Sequence, residues 1–197
     1  GTDAPGFSPA AVNRGSVSYN GILELEIGGT SPGSSFDQLN HVLGLGIADL
    51  GGALDVELIN GFTPSAGDSF EILTATSVLG VFDSISLPAL SGDLQWFVNY
   101  GATSVELVTT FAADFDEDGN VDGDDFNFWQ SGFGNSPAAH MTGDANADNA
   151  ATGFDFLEWQ RQFGSGFGAI SASQAIPEPT TAAMLMGLAA ASLIARR

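Results

Sequence analysis

Between residues 15 and 111, short segments alternate apolar and acidic side chains. The clearest are Leu23 to Ile27 and Leu54 to Leu58, in which aliphatic residues alternate with Glu or Asp, and Val105 to Leu107 is a shorter example. This periodicity places successive side chains on opposite faces of a strand. Gly-Gly, Asn-Gly and proline-containing turns separate the segments. The pattern therefore predicts β-strands with a buried aliphatic face and a solvated acidic face.

An internal repeat lies within this region. The segment Gly21 to Ile27, followed by Ser35-Phe36, recurs as Gly52 to Leu58, followed by Ser69-Phe70, and the offset between the copies is slightly larger at the end than at the start. Repeats of this size indicate stacked units that bury each other's apolar faces. Two mainly β folds satisfy the pattern: the end of a β-solenoid, and a β-sandwich built from duplicated hairpins. The motif Gly-x-Leu-x-[Leu/Val]-x-[Ile/Leu] resembles the closing coils of autotransporter-type β-helix passengers.

The strongest chemical signal is an acidic twelve-residue segment from Asp114 to Asp125. Its oxygen-bearing side chains stand mainly at alternate positions, and Gly119 stands where a sharp turn needs a positive φ. Calcium prefers about six to eight oxygen ligands from such a loop. Like charges about 5 Å apart repel by on the order of 3 kcal/mol at an effective dielectric near 20, so we expect the loop to fold with its cation. The predicted ligands are Asp114, Asp116, Asp118, the carbonyl of Asn120, Asp122 and Asp125.

A second copy of the segment runs from Asp144 to Asp155 and aligns with the first without a gap. Asn149 replaces the glycine, and Asn is the next best residue for a left-handed conformation. Carboxylates at ligand positions fall from five to three, so we expect weaker calcium binding, and a loop that holds no metal is the alternative. The corresponding residues are Asp144, Asn146, Asp148, the carbonyl of Ala150, Thr152 and Asp155.

Each acidic segment leads into a short helix. Phe126, Trp129 and Phe133 lie on one predicted helical face. The second copy repeats this spacing with Phe156, Trp159 and Phe163. Gly134 and Gly164 are suited to end the helices in a left-handed conformation. The two faces are expected to pack against each other, and Val121 is expected to pair its backbone with the sister loop.

This duplicated loop-helix pair resembles a type I dockerin. The resemblance implies one firm and one weaker calcium site. It also implies docking onto a cohesin domain through loop positions ten and eleven and the helices. Those positions are Gly123-Asp124 and Gly153-Phe154, which differ from the hydroxyl pair of cellulosomal dockerins.

The end of the sequence has a different pattern. Pro177-Glu178-Pro179 precedes the uncharged stretch Thr181 to Ala195, which is followed by Arg196-Arg197. As a helix this stretch would span about 22 Å, short of the hydrocarbon core of about 30 Å. A buried core helix is the alternative. The order resembles a PEP-CTERM sorting signal, which implies an exosortase-type processing enzyme and transient membrane insertion, with the arginines on the cytoplasmic side.

Composition narrows the classes of function. The formal charge is −20, from 24 acidic and 4 basic residues, which argues against nucleic-acid binding. There is no cysteine, and His41 and His140 are the only histidines. No sequence pattern of a catalytic triad, a metalloprotease or a nucleotide-binding loop is present, so the chain is not expected to be an enzyme. The strand carboxylates are expected to be solvated; they are Glu24, Glu26, Asp55 and Glu57.

These patterns together predict a mainly β chain followed by a small α dockerin-like calcium module and an apolar C-terminal helix. The expected function is that of a non-catalytic exported protein of the cell envelope, cell surface or extracellular space, whose partner is a cohesin-like or surface-matrix protein. The alternatives are the accessory C-terminal region of a secreted polysaccharide-degrading enzyme and a cohesin-binding adaptor. The predicted segments are a linker at 1–14, a β-repeat domain at 15–111, the module at 112–165, a linker at 166–176 and the sorting tail at 177–197.

Overall fold

The computed structural model describes residues 1–5 and 9–166, and these are mainly β, as predicted. Within these described residues, twelve strands form three sheets, and two helices follow the last strand. The strands are β1 (Thr2–Asp3), β2 (Ala11–Arg14), β3 (Val17–Tyr19), β4 (Ile22–Ile27), β5 (Gln38–His41), β6 (Ile47–Leu50), β7 (Ala53–Leu58), β8 (Asp68–Ala75), β9 (Ser77–Gly80), β10 (Ser84–Ser86), β11 (Leu94–Tyr100) and β12 (Ser104–Phe111).

Successive coils of the chain stack on one another. Two sheets are entirely parallel, in the orders β1-β4-β7-β10 and β3-β6-β9. Ile22 lies beside Ala53, and Ala53 lies beside Ser84, so each step equals the offset at the start of the sequence repeat. Leu39 of β5 lies beside Leu73 of β8, which matches the wider offset at its end. Of the two folds left open by the sequence, parallel pairing fits the stacked coils of a β-solenoid. A sandwich of duplicated hairpins would pair its strands antiparallel.

The core lies between the three sheets. Leu23 is stacked on Leu54, and Leu25 on Val56, and all four side chains are buried, as the alternating pattern predicted. Phe36, just before β5, and Phe70 of β8 add to the core, and their rings meet edge to face at 5.5 Å. The two aromatics occupy equivalent places in successive coils, with the same offset as Leu39 and Leu73. Apolar burial of this kind is the main stabilising term for the stack.

A buried histidine connects two coils. The Nε2 atom of His41 lies 2.8 Å from the hydroxyl of Tyr19, and its Nδ1 atom lies 2.6 Å from the carbonyl oxygen of Gly15. Both ring nitrogens therefore have partners, which is what a buried polar side chain requires. His41 is accordingly a structural residue of the core.

An antiparallel hairpin closes one end of the stack. The middle sheet has the order β11-β12-β8-β5-β2, and β12 runs antiparallel to both β8 and β11. Trp96, Val98 and Tyr100 of β11 pack on the core. Phe97 and Asn99 alternate with them and so lie on the opposite face. The hairpin thus has one face on the coils and one face free for the segment that follows.

The predicted linker at the beginning of the chain contains two strands, β1 and β2. Residues 1–14 are not a linker over their described part, because β1 pairs with β4 and β2 pairs with β5 to build the first coil. The sorting tail at 177–197 and most of the linker before it lie outside the described residues. Within the part that the structure describes, no helix has the length and apolar character needed to cross a membrane.

The two helices follow the acidic segments. They are α1 (Gly123–Gly132) and α2 (Gly153–Gln162), and a short 3-10 turn at His140–Thr142 lies between them. Gly134 and Gly164 follow the helix ends with φ of 89° and 85°, the left-handed conformation predicted for them. The helices pack against each other, also as predicted.

Candidate metal centre

The first acidic loop, residues 114–125, continues directly from β12. Ala113, Phe115 and Val121 are fully buried in a small core with Trp129 and Trp159. The apolar side chains inside the acidic segment therefore hold the loop against the helices.

Three carboxylates of the first loop lie close together. Asp114, Asp116 and Asp118 each offer an oxygen, and these oxygens lie within 4.8 Å of one another. Asp114 is 0% exposed, whereas Asp116 is partly exposed and Asp118 is exposed. The cluster is thus open to solvent on one side and closed on the other. It contains three of the six predicted ligands.

Asp125 connects the beginning of the loop to its end. It lies in the first turn of α1 and is 1% exposed. One carboxylate oxygen accepts from the amide of Phe115 at 2.6 Å, and the other accepts from the amide of Asp122 at 2.7 Å. A carboxylate oxygen can accept more than one bond, so these contacts leave capacity for a cation.

The pKa values of two buried carboxyl groups, Asp114 and Asp125, are raised. Burial raises the pKa of Asp114 to about 7, and the nearby charges of Asp125 and Asp116 act in the same direction, while hydrogen bonds from Thr110 and Gly119 oppose the shift. Burial likewise raises the pKa of Asp125 to about 6. A cation in the loop would favour the charged forms and reverse this effect. The clustered carboxylates of Asp114, Asp116 and Asp118 could hold a metal ion.

The second loop, residues 144–155, repeats the same hydrogen bonds. Asp144 accepts from the amide of Asn149 at 2.9 Å, as Asp114 accepts from Gly119 at 2.8 Å. Asp155 accepts from the amide of Ala145 at 3.0 Å, as Asp125 does from Phe115. Two segments of different sequence thus share one framework. That framework depends on the carboxylates that the two copies have in common.

Two positions in each loop adopt a left-handed backbone. Gly119 and Asn149 do so, with φ of 90° and 65°, as predicted from their residue types. Glu117 and Ala147, two positions earlier, also do so, with φ of 60° and 58°. Neither residue type favours this conformation, so the sequence carried no signal for it.

The remaining predicted ligands have different surroundings. Asp122 and Thr152 are the N-caps of α1 and α2, and their side chains accept from the amides of Asp124 and Phe154. Asn146 and Asp148 repeat the places of Asp116 and Asp118 in the hydrogen-bond pattern. The carbonyl ligands assigned to Asn120 and Ala150 stay predictions.

The backbone partner of Val121 differs from the one predicted. Val121 does not pair with the sister loop: its amide donates to Ser165 at 2.9 Å, and its carbonyl accepts from Gly164 at 2.8 Å, both after α2. Ala151 makes the corresponding bonds with Gly134 and Asn135, after α1. Each loop is therefore connected to the segment that follows the opposite helix.

The helix faces pack partly as predicted. Phe126 contacts Trp159 with ring centres 5.2 Å apart, and Trp129 contacts Phe156 at 4.9 Å. Phe133 and Phe163 contact their own tryptophans at 5.0 Å but remain exposed. The predicted sorting residues lie outside the described residues; they are Pro177, Glu178, Pro179, Arg196 and Arg197.

No protein-family model matches this chain, and a search of curated proteins found no similar sequence.

Proposed function

We propose that residues 112–165 form a calcium-binding module of the dockerin type within a non-catalytic exported protein. The observation that carries this proposal is the shared framework of the two loops, in which carboxylates at equivalent positions accept equivalent backbone hydrogen bonds. A merely acidic surface loop would have no reason to bury Asp114, Asp125 and Asp155.

The chemistry of the donors favours calcium among common cations. The clustered groups are carboxylates, without a thiolate or imidazole among them, and hard oxygen donors suit calcium or magnesium rather than zinc or copper. A flexible loop of side-chain and backbone oxygens fits the larger ion, which accepts irregular geometry. The first loop has five carboxylates at ligand positions and the second has three, so the first is the tighter site.

The exported context rests on sequence and charge. The stacked coils present acidic side chains outward, including Glu24, Asp55 and Glu57, which suits a solvated surface protein and not a nucleic-acid partner. The PEP-CTERM-like tail supports export, exosortase-type processing and a transient membrane anchor. The accessory region of a secreted polysaccharide-degrading enzyme is the alternative context.

One observation favours a docking partner. Phe154, at loop position eleven, is 73% exposed, and Leu157, one turn later on α2, is 58% exposed. Exposed apolar side chains at the positions that dockerins use for recognition favour a cohesin-like partner, so a cohesin-binding adaptor remains a second candidate.

Calorimetric titration of the full chain with calcium tests the proposed function. We expect one tight site, with a Kd of roughly micromolar or lower, and one weaker site. Asp114→Asn should remove the tight site because it replaces a buried ligand charge at constant size. Asp144→Asn should affect only the weaker site, and Asp55→Asn, on the outer face of β7, should change neither. Absence of calcium binding at neutral pH would refute the module assignment.

A further inference from the structure

The outer face of β11 lies against the first acidic loop. Phe97 and Asn99 are on the face opposite to the core-packed Trp96 and Val98. Asn99 donates its side-chain amide to Glu117 of the loop at 2.7 Å. Phe97 stacks on His140, with ring centres 3.6 Å apart and planes 20° apart. The coil stack and the loop-helix pair therefore meet through specific side chains and not only through the connecting chain.

Glu117 is the central residue of this contact. One of its carboxylate oxygens accepts from Asn99, and the other lies 3.3 Å from Nδ1 of His140. The side chains of Glu117 and His140 are each 10% exposed. The other ring nitrogen of His140 lies 3.2 Å from the carbonyl oxygen of Ala112. Glu117 thus joins the loop, the 3-10 turn and β11 at one point.

The position of Glu117 in the loop links this contact to the cation site. It lies between Asp116 and Asp118, whose oxygens belong to the cluster, and its left-handed backbone is part of the turn that brings them together. Because the Glu117 side chain is carried by this turn, a different conformation of the turn would change its distance from Asn99. A cation that ordered the turn would therefore also order the contact with β11.

Comparison of the two loops indicates that the Glu117 carboxylate serves the contact with β11 and not the binding of a cation. The equivalent residue of the second loop is Ala147, which has the same left-handed backbone but no side chain that could reach a partner. The left-handed turn therefore does not require a carboxylate at this position. The carboxylate of Glu117 is explained instead by its partners Asn99 and His140, which the second loop lacks.

We propose that the first loop is a calcium-dependent joint, in which the cation fixes the Glu117 contact and thereby holds the loop-helix pair rigidly on the β11 face. The inference rests on the proposed calcium site and adds regulation to it. Glu117 is a positioning residue in this joint and not a ligand. Because coupling between two equilibria is reciprocal, the contact with Asn99 also stabilises the calcium-bound loop.

A pair of matched variants in the full chain tests the joint. Asn99→Ala removes the donor to Glu117, and Gln95→Ala likewise removes a side-chain amide, at an exposed residue of the same strand and face. We expect Asn99→Ala to weaken calcium binding at the tight site by on the order of fivefold, the loss of one hydrogen bond to a partly buried charge. Gln95→Ala should leave the affinity unchanged.

Hydrogen exchange in the unmodified chain provides an independent measurement. Calcium should slow amide exchange in residues 94–100, which contain no predicted ligand, and Asn99→Ala should remove this effect. Equal calcium affinity of Asn99→Ala and the unmodified chain would overturn the joint while leaving the calcium site intact. So would exchange in 94–100 that does not respond to bound calcium. If the unmodified chain binds no calcium, the proposed function fails as well, so the two failures are distinguishable. Should Asn99→Ala not fold, the exchange measurement on the unmodified chain decides alone.

Discussion

The indole nitrogen of Trp159 donates a hydrogen bond of 2.8 Å to the carbonyl oxygen of Asp122. Trp129 makes the same bond to Thr152, also at 2.8 Å. Asp122 and Thr152 are the N-caps of the two helices, so the tryptophan of each helix holds the first turn of the other. Neither loop-helix unit therefore has its complete structure without its partner.

Replacement of Trp159 by Phe should destabilise the first loop more than the second. The variant keeps most of the ring packing but removes the donor to Asp122, so we expect the free energy of unfolding to fall by about 1–2 kcal/mol. Urea unfolding in calcium measures this change, and calcium titration should show the larger loss at the tight site. Trp129→Phe is the control, because it should act on the weaker site through Thr152. If both variants affected both sites equally, this would contradict the inference that the tryptophan of each helix holds the first turn of the other helix.

The stability of the metal-free protein should fall as the pH rises from about 4 to about 7. The pKa of Asp114 is raised from 3.8 to about 7 by burial, so in this range the folded chain retains a proton that the unfolded chain has lost. The pKa of Asp125, raised to about 6, acts in the same direction. The expected decrease is on the order of 3 kcal/mol. Urea unfolding in EDTA at pH 5 and pH 8 measures it.

Calcium should reverse this dependence, because the cation binds the charged carboxylates and competes with their protons. The affinity of the tight site should therefore rise over the same range of pH. Asp114→Asn, which cannot titrate at this position, is the control, and its stability in EDTA should vary less with pH. A metal-free stability that increases between pH 5 and pH 8 would be inconsistent with the buried carboxylates.

Replacement of Gly119 by Ala should weaken the first loop. Its φ of 90° lies in the region that residues with a side chain rarely adopt, and the strain should lower the free energy of unfolding by about 1–2 kcal/mol. Gly123→Ala is the matched control, because Gly123 is the first residue of α1 and an added Cβ there meets no atom within 4 Å. In calcium titration and urea unfolding, Gly119→Ala should lose affinity and stability, whereas Gly123→Ala should change little in either. Similar losses in both would indicate a general effect of removing glycine from this segment.

Replacement of Glu57 by Gln should stabilise the coil stack. Glu57 lies directly beside Glu26 on the neighbouring parallel strand, so two like charges face each other across the pair. Removing one charge should raise the free energy of unfolding by about 0.5 kcal/mol. The gain should shrink when the ionic strength is raised to about 1 M, because salt screens exposed charges. A gain independent of salt would point to a packing effect instead.

Much of the coil stack and of both loops was predictable because the information is local. The alternation of Leu54 to Leu58 decided which face is buried, and the repeat offset equals the register of the strands. The left-handed turn at Gly119 and Asn149 follows from their residue types. The hydrogen bonds that Asp114 and Asp144 accept from these residues join positions only five apart in sequence.

What only the tertiary structure decided depends on contacts between distant residues. Alternation within a strand does not say whether the neighbouring strands run parallel, so it left both the solenoid and the sandwich open. The strands in residues 1–14 are recognisable only through their partners in later coils. The pairing of Val121 with Ser165 joins residues far apart in sequence. The contact of Glu117 with Asn99 likewise requires the hairpin and the loop to be in place first. Periodicity and residue type act over a short stretch of chain, whereas pairing and docking depend on which distant surfaces bury each other.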